Sequence, residues 1–198
     1  MSESNKPSNQ SADPICCFSV PEISDVPEDI RQRMLETQQK AGFVPNVMRV
    51  LARRPAEFRA FMAYHDALMD GQSGLTKAER EMIVVATSGA NHCQYCVVAH
   101  GAILRIRAKD PLIADQLSTN YRQANISSRQ KAMLDFAMKV SRQSAELNQA
   151  DRETAKVAGL SDEDLWDIAS IAAFFAMSNR LASASEMKPN TEFYSMGR

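Results

Sequence analysis

The chain has 198 residues, of which 44% are hydrophobic and 24% are charged, a balance that is ordinary for a globular protein with one substantial core. Its 23 Lys and Arg residues nearly match its 24 Asp and Glu residues, so a net charge of -1 provides no broad attraction for nucleic acid or an anionic membrane. The composition therefore favours a small neutral substrate or a protein partner.

The two ends of the sequence differ from its middle. The first residues are polar and lack the basic start and apolar stretch of a secretory signal, so we expect a cytoplasmic protein. Residues 1–20 are rich in Ser, Asn and Pro and are predicted to form a flexible tail, although Cys16 and Cys17 could dock onto the body or a neighbouring subunit. Residues 21–187 are predicted to form one helical domain, and residues 188–198 a C-terminal tail.

Helix signals dominate the chain between these ends. The predicted helix starts are, in chain order, Pro27, Pro45, Pro55, Thr76, Cys93, Pro111, Ser127 and Ser161. Thr76 with Glu79, and Ser127 with Gln130, have the spacing of capping boxes. No stretch shows the alternation between turns that is typical of strands. We therefore expect an all-α fold, a single compact domain of about eight to nine helices.

The longest uncharged stretch, residues 82–104, has the length of a membrane span. It contains several polar residues, namely Thr87, Ser88, Asn91, His92, Gln94 and His100. Because Asn91 and His92 also interrupt the apolar pattern, we interpret the stretch as two buried helices around a polar site and expect no membrane segment.

The four cysteines form two close pairs, Cys16 with Cys17 and Cys93 with Cys96. Structural disulfides are uncommon in a reducing compartment, so the Cys93/Cys96 pair indicates redox chemistry or metal binding. Cys16 and Cys17 are interpreted as unpaired thiols of the tail.

The spacing from Cys93 to His100 suits thiol chemistry. Cys96 lies about one helical turn after Cys93, so the two sulfurs can close a disulfide. His100 lies four residues after Cys96, on the same face, and is placed to take the proton of that thiol directly or through one water. The positive end of the helix dipole predicts that both thiols are more acidic than a free cysteine. Such a pair suits two-step peroxide reduction, in which one sulfur becomes a sulfenic acid and the other condenses with it.

Glu81 is the candidate proton acceptor behind His100. If the helices before and after the corner at Asn91 pack antiparallel, its carboxylate could face His100. Glu81 could instead be a solvated carboxylate of a first helical turn. His92 could be a corner residue that bonds the backbone or a second proton carrier. The pair could also be inert buried thiols.

Zinc binding is a further alternative. The same cluster would supply four ligands, from Cys93, Cys96, His100 and Glu81.

This constellation resembles the signature of the alkylhydroperoxidase D (AhpD)-like proteins in the carboxymuconolactone decarboxylase superfamily. The signature residues are Glu81, Cys93, Cys96 and His100. Residues 91–96 and the helix from Trp166 through Asn179 are similar to the peroxidase-related branch of that group, so the resemblance covers most of residues 25–198.

The resemblance implies an AhpD-like helical domain, homo-oligomers that are often trimers or hexamers, and a hydroperoxide reductase of antioxidant defence. It implies that Cys96 attacks a small hydroperoxide, that Cys93 resolves it, and that Glu81 and His100 relay the proton. An external dithiol, of lipoyl or thioredoxin type, would restore the pair, with no metal or other cofactor.

The relatives carry histidine just before the second cysteine, where this chain has Tyr95. Tyr95 and His92 are therefore candidates for the proton relay or for supporting positions. A protein-disulfide oxidoreductase and a metal-binding or structural oligomer remain alternatives, whereas the paired cysteines argue against lactone decarboxylation.

Overall fold

The computed structural model describes residues 14–198, and these form nine α-helices and four short 3-10 helices without a strand. The α-helices are α1 (Glu28–Ala41), α2 (Asn46–Leu51), α3 (Pro55–Asp70), α4 (Lys77–Ala90), α5 (Gln94–Ala108), α6 (Ile113–Asn120), α7 (Ser128–Gln143), α8 (Gln149–Val157) and α9 (Asp162–Ala184). The predicted all-α fold of about eight to nine helices is confirmed for this part of the chain.

Capping residues start several helices where the sequence predicts them. The Thr76 hydroxyl accepts a hydrogen bond from the Glu79 N–H, and the Glu79 carboxylate accepts one from the Thr76 N–H. Ser127 and Gln130 make the same reciprocal pair at the start of α7. These bonds satisfy backbone N–H groups that the first helical turn leaves without partners.

Helix α8 was not predicted from the sequence. Only Ala155 is buried in this helix, so its sequence carries little apolar periodicity. Its start has a capping box formed by Asn148 and Asp151. That pair was the available local signal.

Helix α4 is the centre of the fold. Every residue from Glu79 to Ser88 is buried, and α5, α6, α7 and α9 pack around the helix. Burial on all sides explains why the sequence becomes uncharged immediately after Glu81. Residues 82–104 thus form two packed helices, as predicted, and within the described chain no helix is long and apolar enough to cross a bilayer.

A tight corner joins α4 to α5 and sets the position of the thiols. His92 adopts a left-handed backbone conformation with a φ of 55°. The Cys93 N–H donates to the Ser88 carbonyl, and Cys93 itself is the N-cap of α5 with an extended backbone. The corner therefore fixes Cys93 directly against the first turn of α5.

The described start of the chain is attached to the helical body. The Cys17 N–H donates to the Ser185 carbonyl at the end of α9, and the Lys188 N–H donates to the Ile15 carbonyl. Cys16 is only 4% exposed. The burial of this small apolar side chain, together with the two backbone hydrogen bonds, attaches a segment that was predicted to belong to a flexible tail. Residues 1–13 of that predicted tail lie outside the described residues.

The C-terminal segment is also bound to the bundle. The buried Arg105 guanidinium donates to the carbonyls of Phe193 and Met196, and Phe193 is buried. Arg198 forms two hydrogen bonds with the Asp115 carboxylate. Most of the predicted tail 188–198 is therefore ordered against α5 and α6, because a buried guanidinium and an aromatic ring anchor it.

Candidate active site

The two central cysteines, Cys93 and Cys96, lie at the start of α5. Both thiols are buried, and no disulfide joins them. Cys93 and Cys96 are 1% and 2% exposed. The Cys93 sulfur accepts a hydrogen bond from the Cys96 N–H at 3.4 Å, which is the N-capping contact of the helix. The sequence thus places both sulfurs within one turn of each other at the positive end of a helix dipole.

The two thiols differ in acidity. The pKa of Cys93 is lowered from 9.0 to about 7, chiefly because the Cys96 thiol donates to its sulfur, with the Cys96 N–H, Asn179 and His100 adding to the effect against the cost of burial. The pKa of Cys96 is raised, because this thiol donates to Cys93, is buried and faces the negative charge there. The prediction that both thiols are acidic is right for Cys93 and wrong for Cys96. One negative charge is therefore shared by the pair near neutral pH.

Glu81, on α4, faces His100, on α5. One carboxylate oxygen lies 2.7 Å from His100 Nδ1, and the other accepts a hydrogen bond of 2.9 Å from the Arg107 guanidinium. The Glu81 side chain is 2% exposed. The interpretation of Glu81 as a solvated carboxylate is therefore wrong, because α4 is buried on every side and both oxygens have charged or polar partners.

The Glu81 contact assigns the tautomer of His100. A carboxylate that is paired with Arg107 accepts hydrogen bonds, so Nδ1 of His100 carries the proton. In the neutral imidazole, Nε2 then holds a free lone pair. His100 is thereby prepared to accept a proton at Nε2 and to return it, while Glu81 stabilises the charged ring.

Aromatic side chains surround His100. The Phe175 ring meets the imidazole edge to face with 4.7 Å between centroids, and the His65 ring lies 6.4 Å away. Burial and the neighbouring His100 lower the pKa of His65, whose Nδ1 is 3.2 Å from the Asp66 carboxylate. The Phe175 ring thus packs directly against the His100 imidazole, and His65 lies further away.

Asn179, on α9, connects the corner with the thiols. Its amide nitrogen donates to the Ser88 hydroxyl at 2.9 Å, and its oxygen accepts from the Asn91 amide at 2.9 Å. The Asn179 side chain also forms hydrogen bonds that lower the pKa of both Cys93 and Cys96. Asn179 was not among the predicted site residues, although a polar residue inside an apolar helix was a signal.

Arg107 is the second residue that sequence reasoning missed. It lies seven residues beyond His100, which is close to two full turns and places both side chains on one face of α5. The same periodicity that connects Cys96 with His100 could have identified it.

Tyr95 and His92 occupy different surroundings from His100. In the described chain the Tyr95 hydroxyl accepts its hydrogen bond from the Val47 N–H at 3.0 Å, and burial raises the pKa of this buried phenol. His92 is exposed, and its N–H donates to the Gly89 carbonyl. Tyr95 thus ties α2 to α5, and His92 forms the corner.

The donor set is poorly suited to zinc. Across residues 14–198, no group of three or more His, Cys, Asp or Glu side chains is arranged to hold a metal ion. Glu81 would be the fourth ligand of the zinc alternative, but its oxygens are engaged by His100 and Arg107. A guanidinium at that distance repels a divalent cation.

Comparison with known proteins places the chain in a family. The sequence profile of the carboxymuconolactone decarboxylase family matches residues 55–111, which contain Glu81, both central cysteines and His100. An uncharacterized peroxidase-related protein from Ralstonia eutropha JMP134 with an alkylhydroperoxidase AhpD core is 63% identical, over 94% of this chain and 98% of that chain, with a TM-score of 0.93. The chain belongs to the AhpD-like group of the carboxymuconolactone decarboxylase superfamily.

Other solved structures share the AhpD-like fold. An uncharacterized peroxidase-related protein from Silicibacter sp. TM1040 is 43% identical over 93% of this chain and 96% of that chain, with a TM-score of 0.89. The debrominase Bmp8 is 18% identical over 92% of this chain and 95% of that chain, with a TM-score of 0.75, which shows a common fold. No curated protein matches the sequence.

Proposed function

We propose that this AhpD-like protein is a CxxC-dependent alkyl hydroperoxide reductase that acts in antioxidant defence. The observation that carries the proposal is the contact between Glu81 of α4 and His100 of α5, because α5 also begins at the cysteine pair with its acidic Cys93 thiol. Thiolate, base and orienting carboxylate are the three parts that an activated sulfur nucleophile needs. The family membership supports an oxidoreductase of this kind.

The first half of the cycle oxidises the pair. His100 Nε2 takes one proton from the pair, either directly or through a water, the remaining proton stays on Cys93, and the Cys96 thiolate attacks one oxygen of the hydroperoxide. The O–O bond breaks, Cys96 becomes a sulfenic acid, and the alkoxide takes the proton from His100 and leaves as an alcohol. The acidity of Cys93 supports this step, because a pair with a low pKa loses one proton readily. The proton that remains can move along the S–H···S hydrogen bond from Cys96 to Cys93, which leaves the negative charge on Cys96.

The second half closes the disulfide. His100 takes the Cys93 proton, the Cys93 thiolate attacks the Cys96 sulfur, and hydroxide leaves with that proton as water. The sum is one hydroperoxide and two thiols converted to one alcohol, one water and one disulfide. A dithiol reductant then supplies two electrons and two protons.

The surroundings of the pair favour a small organic hydroperoxide. Both sulfurs are nearly inaccessible, and Phe175 packs on His100. A folded protein disulfide cannot reach such buried thiols without a local opening, which argues against a general protein-disulfide oxidoreductase. We expect the protein to act in the cytoplasm, where reduced thiols are maintained.

We further propose that the protein forms a homo-oligomer, such as a trimer or hexamer, through α9. Trp166, Ala173, Met177 and Leu181 are exposed and share one face of this helix, and exposed Tyr64 packs on Phe174 beside it. An apolar stripe of this kind is typical of an interface between subunits. Analytical ultracentrifugation of Met177→Glu should show smaller species than the wild type, and an unchanged monomer in both would contradict the proposal.

The function is tested by steady-state consumption of cumene hydroperoxide with dithiothreitol as reductant. Cys96→Ser should lose turnover, whereas Cys17→Ser, the same change at an exposed thiol outside the pair, should retain it. Turnover that persists in Cys96→Ser would contradict the proposal.

A further inference from the structure

A cavity of about 300 Å³ opens beside Cys93, on the outside of the corner between α4 and α5. Its buried lining consists of Cys93, Tyr95, Ala182 and Met187, and its exposed lining of His92, Gln94, Ser183, Glu186 and Lys188. Cys96 is not among these residues. A mouth with polar and charged side chains thus leads to an apolar floor that holds one of the two sulfurs.

We propose that this cavity is the port through which an external thiolate reduces the oxidised pair, and that the attacked sulfur is Cys93. This proposal rests on the proposed function, and it adds the site at which the reductant attacks the disulfide. A volume of this size admits a small thiol or a thin thiol-bearing arm, and not the surface of a folded domain. The occupant is therefore a small dithiol or a flexible dithiol group.

The chemistry of the step balances through the two cysteines. The incoming thiol releases its proton to solvent, its thiolate attacks the Cys93 sulfur, the Cys93–Cys96 bond breaks, and Cys96 leaves as a thiolate that takes up a proton from solvent through His100 Nε2. The second thiol of the reductant also releases its proton to solvent, attacks the reductant's own sulfur, releases Cys93 as a thiolate and closes the reductant's disulfide. Two electrons pass from the reductant to the pair.

The position of Cys93 favours this direction of attack. The hydrogen bonds that lower the pKa of Cys93 make it the better leaving group in the second exchange. His100 lies four residues beyond Cys96, so Cys96 has a group beside it that can carry a proton to it when it leaves in the first exchange.

The backbone at the cavity supports a functional role for it. Within the described chain, His92, Lys109 and Glu186 are the three non-glycine residues with positive φ, and two of these line this one cavity. L-residues in this conformation are sparse and concentrate at functional sites.

The test uses protein whose disulfide has been formed with diamide, so that it does not depend on peroxidase activity. Ser183→Trp should fill the mouth and slow reduction by dithiothreitol or dihydrolipoamide about tenfold or more, since thiol–disulfide exchange depends on access. Ser144→Trp makes the same substitution at an exposed position of the 3-10 helix that follows α7, outside both the cavity and the exposed stripe of α9, and should leave the rate unchanged.

Acid quenching during reduction by 2-mercaptoethanol, followed by peptide mapping, identifies the attacked sulfur. The adduct should lie on Cys93. An adduct on Cys96, or a wild-type rate in folded Ser183→Trp, would overturn the port, whereas failure of the peroxidase alone would leave these two measurements unaffected.

Discussion

The Glu81 carboxylate, from α4, lies 2.7 Å from Nδ1 of His100, from α5, and nearly all of this contact is shielded from solvent. The pair joins two helices and also fixes which imidazole nitrogen is free. Orientation of a histidine by a buried carboxylate is a common way to prepare the ring for proton transfer.

Replacing Glu81 with Gln should slow oxidation of the pair by hydroperoxide about 100-fold, because the neutral amide no longer stabilises the charged imidazole. Stopped-flow oxidation of the reduced protein measures this rate. Glu163→Gln, at an exposed position in the first turn of α9, is the matched control and should behave like the wild type. An unaltered rate in Glu81→Gln would remove Glu81 from the mechanism.

The pH dependence of the pair follows from the acidity of Cys93. A pKa of about 7 means that thiolate is present above that pH and disappears as the pH falls below it. The oxidation rate should therefore rise about tenfold from pH 6 to pH 8 and then level off. Ultraviolet absorbance of the thiolate, taken against the Cys93→Ser variant, should follow the same curve, and a midpoint near that of free cysteine would contradict the assignment.

Asn179→Ala should raise the pKa of Cys93, because it removes a hydrogen bond that lowers that pKa. It also leaves the buried Ser88 hydroxyl without the donor Asn179 and removes one of the two hydrogen bonds of the Asn91 amide, which should cost about 1–3 kcal/mol of stability. The thiolate titration and urea denaturation measure the two effects. Asn125→Ala, at an exposed position, should change neither, and an unshifted titration in folded Asn179→Ala would show that Asn179 serves the fold alone.

Arg107→Gln should destabilise the protein by about 3 kcal/mol, because Glu81 is buried and loses its charged partner. Arg122→Gln breaks the exposed pair with Asp135 and should cost less than about 1 kcal/mol. Urea denaturation of both variants gives the comparison. Equal losses would mean that Arg107 does not compensate the Glu81 charge.

The local part of the site could be predicted from the sequence. Cys93, Cys96 and His100 lie on consecutive turns of one helix, so helical periodicity is sufficient to group them. Glu81 could be added because a corner of three residues, Asn91–Cys93, forces α4 and α5 to pack side by side.

The contribution of α9 could not be predicted in this way. Asn179 reaches the thiols only because α9 packs against α4 and α5 in one register, and such a register depends on tertiary packing. The opposite acidities of the two thiols were missed for a related reason. The helix dipole acts on each thiol separately, whereas the hydrogen bond between the sulfurs lowers one pKa and raises the other.

The attachment of the C-terminal segment to the bundle also could not be predicted from the sequence. Residues 188–198 have little apolar periodicity, and their attachment depends on Arg105, which lies far away in sequence and donates to their backbone carbonyls. A buried guanidinium that binds a distant backbone leaves no signal in the sequence of that segment.

The central claim is that a hydroperoxide oxidises Cys93 and Cys96 to a disulfide, and intact mass with peptide mapping tests it most directly. Fully reduced protein treated with one equivalent of cumene hydroperoxide should rapidly lose two hydrogens, and the bridge should map to Cys93–Cys96 and be absent in Cys96→Ser. An unchanged mass, or a bridge that maps to Cys16 or Cys17, would contradict the dithiol cycle.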